Sequence, residues 1–373
     1  MQLAGLYAGI GGFELAFREI GKPRLFAELA GSARTVLRHR FPDAEIVADV
    51  ADISELPSDI DVVTAGFPCQ NLSMAGDKAG ISGTKSRDVV HLFSLIERSK
   101  PPIVVIENVY FMLHLDRGKA MEFLVGQFEK LGYRWAYRVL DTIGFGLPQR
   151  RRRVYLVASR IMDPQAALFP VAEASDPLLE VSLDRPVGFY WTEGRSGSGL
   201  TSDAVPPIKA GSGLGIPSAP AVLFPDGAVL TPDIESCERL QGFEAGWTST
   251  ANEHKRSPRW LLVGNSVSVP VARWVARRIV SPENPGVDYG VEIRNGSAWP
   301  NAAYGDGKVR FKVEADSRPQ RSDWVPITEF RTDSWRPVSF RALRGFVTRA
   351  EAGTLRYPDG FLNKLRSAME AIS

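Results

Sequence analysis

The chain has 373 residues, 44% apolar and 24% charged, with 45 basic against 43 acidic residues and a net charge of +2. That length buries a full core and suggests two or three domains, and the balanced charge excludes a disordered chain and an acidic or basic tail protein. Two cysteines and four scattered histidines exclude a disulfide scaffold and leave no metal-ligand spacing. No stretch reads as a membrane span or a secretory leader, so a cytoplasmic protein without metal or membrane partners is expected. The basic residues divide into 34 Arg and 11 Lys. Planar contact with phosphates or base edges favours Arg, and genomic base composition accounts for the bias equally well.

Short apolar runs at 3–8, 25–29, 46–50, 61–66, 103–107, 135–141 and 154–158 read as strands. Helical faces lie between them. Phe13, Ala16, Phe17 and Ile20 follow a Gly-rich turn, Leu92, Phe93, Leu95 and Ile96 precede the strand at 103, and Phe123, Leu124, Phe128 and Leu131 follow it. The alternation predicts an α/β fold over 1–160, with a doubly wound, mostly parallel Rossmann-like sheet. Residues 161–228 are richer in Gly, Ser and Pro and read as a smaller irregular lobe of loops and short strands. Helices are expected at 232–240 and 269–279, with 229–280 returning to the first domain. After a linker at 281–285, residues 285–373 form a C-terminal extension, with a short strand at 309–313 and a helix at 361–372.

In open α/β sheets the ligand sits beyond the carboxyl ends of the strands, and several chemically capable residues fall there. Tyr7-Ala8-Gly9-Ile10-Gly11-Gly12 follows the first strand, where glycines let the backbone approach a cofactor. Glu28 ends the second strand and could hold ribose hydroxyls, although a lone carboxylate is commonly just solvated. Asp49 ends the third and could accept from an adenine amino group. The fourth strand runs into Gly66-Phe67-Pro68-Cys69-Gln70, and the fifth ends in Glu107-Asn108-Val109. Cys69 is either a nucleophile or a buried structural thiol. With a Glu on the neighbouring strand end, attack on an electrophilic ring becomes the sharper reading. No histidine stands near either motif, which disfavours a Cys-His hydrolase. Gln149 and Arg150 to Arg153 precede the seventh strand. Strand alternation would point Arg151 and Arg153 the same way, toward an anionic substrate, if the run is more than a solvated basic cluster.

Taken in order, these segments resemble the bacterial DNA (cytosine-5)-methyltransferase family. The turn at Tyr7 is similar to its first S-adenosylmethionine motif, with Tyr7 where Phe is usual. The Cys69 loop, with Ser73 and Ala75-Gly76 following, is similar to its catalytic loop. Glu107-Asn108-Val109, Gln149-x-Arg151-x-Arg153, Arg239-Leu240-Gln241-Gly242-Phe243 and Gly264-Asn265-Ser266-Val267 match four later motifs. The resemblance implies that a cytosine is flipped from the duplex and that Cys69 attacks its carbon-6. Glu107 holds or protonates ring nitrogen 3, Arg153 contacts the ring carbonyl, and Arg151 supports the active-site loop or a phosphate. It further implies an S-adenosylmethionine site lined by Tyr7, Ala8, Gly9, Ile10, Gly11 and Gly12, by Glu28, Leu29, Asp49 and Val50, and by Pro68, Asn265 and Val267. Phe67, Gln70, Ser73 and Gln149 would contact the DNA.

Three features depart from the family pattern. Leu29-Ala30 stands where an aromatic residue often follows the ribose-binding acid, so adenine would pack on aliphatic groups. Lys85-Ser86-Arg87-Asp88-Val89 replaces a usual Arg-Gly-x-Leu element. Glu235 and Glu238 compete for the Glu expected just before Arg239. The resemblance implies a monomer acting on double-stranded DNA, with a possible cognate restriction endonuclease in the same system. The same chemistry on RNA is disfavoured because the Cys-Phe-Thr element of RNA-methylating relatives is absent. A non-catalytic DNA-binding regulator is disfavoured because Cys69, Glu107, Arg151 and Arg153 are intact. Target reading is expected from 161–228. The extension, with 14 basic and 11 acidic residues and Trp299, Trp324 and Trp335, either joins 185–215 in a DNA-reading lobe or packs as a small domain around its own tryptophans.

Overall fold

The computed structural model describes residues 1–67, 87–171, 177–195, 197–209, 219–253, 258–286, 290–294, 296–320 and 322–372. The strands are β1 (Gln2–Leu6), β2 (Lys22–Ala27), β3 (Glu45–Val47), β4 (Val62–Ala65), β5 (Ile103–Val109), β6 (Arg134–Asp141), β7 (Arg152–Ser159), β8 (Val187–Phe189), β9 (Thr201–Ser202), β10 (Ala221–Leu223), β11 (Val229–Thr231), β12 (Val291–Glu292), β13 (Ala302–Gly305), β14 (Arg310–Lys312) and β15 (Arg336–Pro337). The α-helices are α1 (Gly12–Phe17), α2 (Gly31–Arg40), α3 (Arg87–Ser99), α4 (Lys119–Lys130), α5 (Pro164–Leu168), α6 (Ile234–Leu240), α7 (Arg259–Asn265), α8 (Val269–Val280), α9 (Phe340–Glu351) and α10 (Phe361–Glu370). The chain forms two compact units.

The first unit comprises Met1–Gly144, Arg152–Ser175 and Val267–Arg321. Its ten-stranded sheet has the order β12-β14-β13-β6-β7-β5-β4-β1-β2-β3. β3, β2, β1, β4 and β5 are parallel neighbours, and every pairing from β5 through β7, β6, β13 and β14 to β12 is antiparallel. Seven of the ten strands therefore point the same way, and the sheet is mostly parallel in direction. Apolar β4 and β5 are buried on both faces, as parallel strands covered by helices must be. Ala4, Leu6, Val63, Ala65, Val104 and Ile106 share a core with the apolar faces of α3 and α4. The opposite face carries α1, whose Glu14 accepts a hydrogen bond from Thr64 at 2.6 Å. The chain runs outward from β1 to β2 and β3, then returns to β4 and β5 on the other side of β1. This reversal is the topological switch point, where a doubly wound sheet opens a crevice at its carboxyl rim.

The second unit comprises Phe145–Arg151, Asp176–Ser266 and Ser322–Ser373. A five-stranded sheet, β15-β11-β10-β8-β9, is antiparallel throughout. Ala221 and Leu223 of β10 pack with Phe346 of α9 and Phe361 of α10. Val222 and Phe224 lie in a separate core with Cys237, Leu240, Val263 and Trp335.

The divisions differ from the sequence boundaries. The proposed break at 228/229 falls inside a hairpin, since Leu223 pairs with Val229. Residues 229–266 belong with the second unit, and the first resumes only at Val267. The region 285–373 is not one body. β13 pairs with β6, placing Ala302 opposite Arg138, while β15 pairs with β11 of the other unit. Two of its three tryptophans, Trp299 and Trp335, are buried in cores shared with earlier residues, while Trp324 is exposed. Trp299 packs against Trp135 and Tyr137 at 6.2 Å between ring centroids, and Trp335 against Phe224 at 6.2 Å. Trp324 donates to Asp203. Among the described residues no helix is long and apolar enough to cross a membrane, and no group of three or more His, Cys, Asp or Glu is placed to hold a metal.

Candidate active site

Of the expected cofactor residues, the first unit places Tyr7 to Gly12, Glu28, Leu29, Asp49 and Val50 after the carboxyl ends of β1, β2 and β3, whereas Asn265 belongs to the second unit. Tyr7, Gly9 and Gly11 have φ of 53°, 57° and 79°. That left-handed path is open to glycine and strained for a side chain. At Gly11 a Cβ would lie 2.4 Å from the Phe41 ring, whereas at Gly9 it would meet nothing within 4 Å. The Gly9 N–H donates to Glu28 Oε2 at 2.8 Å, and Ala30 N–H donates to Oε1 at 2.8 Å. Burial holds the Glu28 carboxyl above its ordinary range, and these two backbone bonds oppose the shift. Leu29 is 72% exposed, while Ile10 and Val50 are buried. Ala8 is half-buried and Gly12 is buried at the start of α1. Asp49 accepts from Ala51 N–H at 2.9 Å, capping the short turn at Val50–Asp52. The Tyr7 hydroxyl donates to the Asp88 carbonyl at 2.6 Å, and its ring meets Phe67 edge-on at 6.4 Å. A carboxylate, an open backbone cradle over Gly9 and an exposed aliphatic side chain fit a nucleoside ligand.

Across the switch point, β5 presents the second set. Glu107 is 7% exposed, and its Oε1 lies 3.3 Å from Arg153 Nε. The pairing follows from register, because β5 and β7 are antiparallel and Val109 stands opposite Arg153. Asn108, to which the sequence reading gave no separate role, donates to the Phe67 carbonyl at 3.1 Å and accepts from Val109 N–H. It ties the end of β5 to the start of the segment that carries Cys69. Pro68, Cys69, Gln70 and Ser73 themselves lie outside the described residues.

Arg151 behaves differently from Arg153. β7 begins at Arg152, so strand alternation does not extend to Arg151, and the expected side-by-side pair of arginines does not follow. Arg151 belongs to the second unit, is 2% exposed, and donates to the carbonyls of Ile208, Gly264 and Ser266. Gln149 has no exposed surface. It donates to Leu240 O at 2.7 Å and Gln241 Oε1 at 3.1 Å, and accepts from Ile208 N–H. Together they fasten three distant segments of one unit. Asn265 is exposed and Val267 is buried. The competition between Glu235 and Glu238 ends in favour of Glu238 as the structural carboxylate. It has no exposed surface, pairs with Arg259 at 3.0 Å, and accepts from the Thr248 hydroxyl and the N–H groups of Gly246, Trp247 and Thr248.

A family model described as C-5 cytosine-specific DNA methylase matches residues 1–178. Type II methyltransferase M2.BsuMI of Bacillus subtilis (strain 168) is 43% identical over 98% of this chain and 97% of its own length. Type II methyltransferase M.HaeII of Haemophilus aegyptius is 30% identical over 75% of this chain and 92% of its own. The solved Entamoeba histolytica methyltransferase EhMeth superposes with a TM-score of 0.54 over 75% of this chain and 98% of its own, and the S. pombe Dnmt2 methyltransferase with 0.53 over 75% and 99%. Both are 15% identical and speak to the fold alone. With the carboxyl-rim geometry, the near-full-length likeness at 43% identity places this enzyme by descent: the chain belongs to the C-5 cytosine-specific DNA methylase family.

Proposed function

We propose that the protein methylates carbon-5 of a cytosine within a short specific sequence of double-stranded DNA. The donor is S-adenosylmethionine, and the protein works in the cytoplasm as a monomer, as the modification partner of a restriction endonuclease. The observation that carries this reading is the Glu107–Arg153 pair on the same carboxyl rim as the Gly9–Glu28 cradle. A carboxyl group beside a guanidinium suits a pyrimidine edge, which presents ring nitrogen 3 next to a carbonyl.

When bound, S-adenosylmethionine supplies an electrophilic methyl group on its sulfonium. Glu28 would hold the ribose hydroxyls, Asp49 would accept from the adenine amino group, and exposed Leu29 would offer the adenine an apolar surface. The Cys69 thiolate adds to carbon-6 of the flipped base. Glu107 holds the proton at ring nitrogen 3, Arg153 donates to the ring carbonyl, and carbon-5 becomes nucleophilic. After methyl transfer the carbon-5 proton is lost and the carbon–sulfur bond breaks, returning the thiolate. Gln149 and Arg151 act as positioning residues through the carbonyls they bind. The second unit reads the target sequence, a role supported by the exposed Arg331, Arg336, Arg341 and Arg344.

The test is methyl transfer from labelled S-adenosylmethionine to unmodified duplex DNA, with the modified bases then located by conversion-based sequencing. Transfer at one short motif, lost in Cys69→Ala, is the expected result. Transfer to RNA alone, or to neither nucleic acid with cofactor binding intact, overturns the reading.

A further inference from the structure

The 3-10 turn Tyr110–Leu113 directly follows the carboxyl end of β5 and was not part of any motif. Tyr110 stands beside Arg152, just past the last pair of the β5–β7 register, in which Val109 lies opposite Arg153. The Arg152 guanidinium lies over the Tyr110 ring, 4.3 Å from its centroid. The His114 ring abuts the same tyrosine edge-on at 5.4 Å. Arg152 is exposed, and among the described residues its side chain forms no ion pair. Its backbone is tied to the reactive pair, since Arg153 Nη1 donates to the Arg152 carbonyl at 2.8 Å. Phe111 on the same turn is 60% exposed.

A solvated surface arginine is free to sample many rotamers. One stacked on an aromatic face is held by a cation–π contact, and its planar fork of donors is preorganised for the paired oxygens of a phosphate. We propose that Arg152, braced by Tyr110, grips a backbone phosphate of the substrate DNA beside the flipped cytosine. The proposal rests on the DNA reading above and adds a positioning residue to it. Glu107 and Arg153 handle the base, while Arg152, which strand alternation turns to the other face of β7, holds the DNA backbone that passes over the carboxyl rim. Such a contact carries no sequence information and should act on any duplex.

The experiment measures the affinity of the full-length protein for a labelled duplex oligonucleotide between 50 and 200 mM salt. Each phosphate neutralised on B-form DNA contributes about 0.9 to the slope of log affinity against log salt. Arg152→Ala should lower that slope by about 0.9, so its affinity deficit narrows about threefold across the fourfold salt range. Arg152→Lys should restore the slope. Tyr110→Leu should weaken binding while leaving the slope, and Tyr110→Phe should match the wild type. An unchanged slope in Arg152→Ala, with a wild-type melting temperature, overturns the proposal, as does a slope lowered on an RNA hairpin but not on duplex DNA. Methyl transfer by the same wild-type preparation keeps the two readings apart. Its absence counts against the proposed function, whereas intact transfer with an unchanged slope counts against Arg152 alone.

Discussion

In the first unit, β5 is seven residues long and buried from Ile103 to Asn108, with parallel β4 on one side and antiparallel β7 on the other. In the second unit, β8, β10 and β11 have three residues each, and three phenylalanines meet in one of its cores. Phe189 lies 5.0 Å from Phe346 and 5.5 Å from Phe361 by ring centroid. Long shared strands hold Glu107 and Arg153 on a frame with little freedom, which chemistry at a fixed distance requires. Short strands with long connections leave the second unit's surface to loops, where residues change without disturbing the core. That division suits an enzyme whose reaction is constant and whose target sequence varies.

The most severe test removes 285–373. The deletion takes β12 to β14 and Trp299 from the first unit and β15, α9 and α10 from the second. Both cores lose buried residues, so the truncated chain should be insoluble or fail to unfold cooperatively in circular dichroism. A soluble, cooperative truncation would show that one unit tolerates the loss. Next in size is Glu107→Gln. Gln keeps the shape but gives up the carboxylate that the proposed chemistry uses. The rate constant should fall by about 10²–10⁴, the usual worth of general acid–base help, while S-adenosylmethionine binding stays intact. Unchanged turnover would remove Glu107 from the reaction.

Arg259→Ala separates the units. It leaves Glu238 buried without its cation, at a cost of about 3–5 kcal/mol, and every partner of that network belongs to the second unit. Calorimetry should show two transitions, with only one lowered in the variant. A single transition that shifts as a whole would mean the units do not unfold separately, and the contrast between them would fail.

The same contrast governs what the sequence reveals. All seven expected strands of the first unit are present as β1 to β7; most are near-continuous apolar runs because helices cover both faces, while β3 at the sheet edge is largely unburied. α2 leaves little trace in the sequence, since only Ala33, Val36 and Leu37 are buried among its basic residues. α9 lies outside the expected helices although Leu343, Phe346, Val347 and Ala350 keep helical spacing, with Gly345 among them. The second unit is assembled from three stretches of chain, and no local pattern tells β15 to pair with β11 or β13 with β6. The placement of Gly9 and Glu28 after neighbouring strands is legible in the sequence, though their mutual hydrogen bond is not. The burial of Gln149 and Arg151 was not, because the carbonyls they bind lie 57 to 115 residues away. Nor was the contact of Tyr110 with Arg152, which depends on the register of β5 against β7.

The smallest predicted effect compares two buried carboxylates, one in each unit. Glu238 is held by Arg259, whereas Glu14 is 1% exposed and hydrogen-bonded to the neutral Thr64 hydroxyl. A Cβ at Gly5 beneath it would lie 2.4 Å from Glu14 Oε1, so a side chain there would displace the carboxyl. Burial pushes the Glu14 carboxyl up from its ordinary 4.5 to about 7. Below 4.5 both the folded and unfolded chains hold the proton, so pH has no effect through this group. Between 4.5 and about 7 the unfolded chain ionises while the folded one does not, and stability falls as pH rises. At about 1.4 kcal/mol per pH unit, crossing the window destabilises the fold by up to about 3 kcal/mol. Glu14→Gln keeps an acceptor for Thr64 and cannot ionise. Its melting temperature should match the wild type's pH dependence near pH 4.5, then stay above it increasingly up to neutrality and run parallel beyond. Parallel profiles across the whole window would mean that Glu14 does not titrate there, and that the first unit tolerates an ionised carboxylate without the cation the second unit supplies.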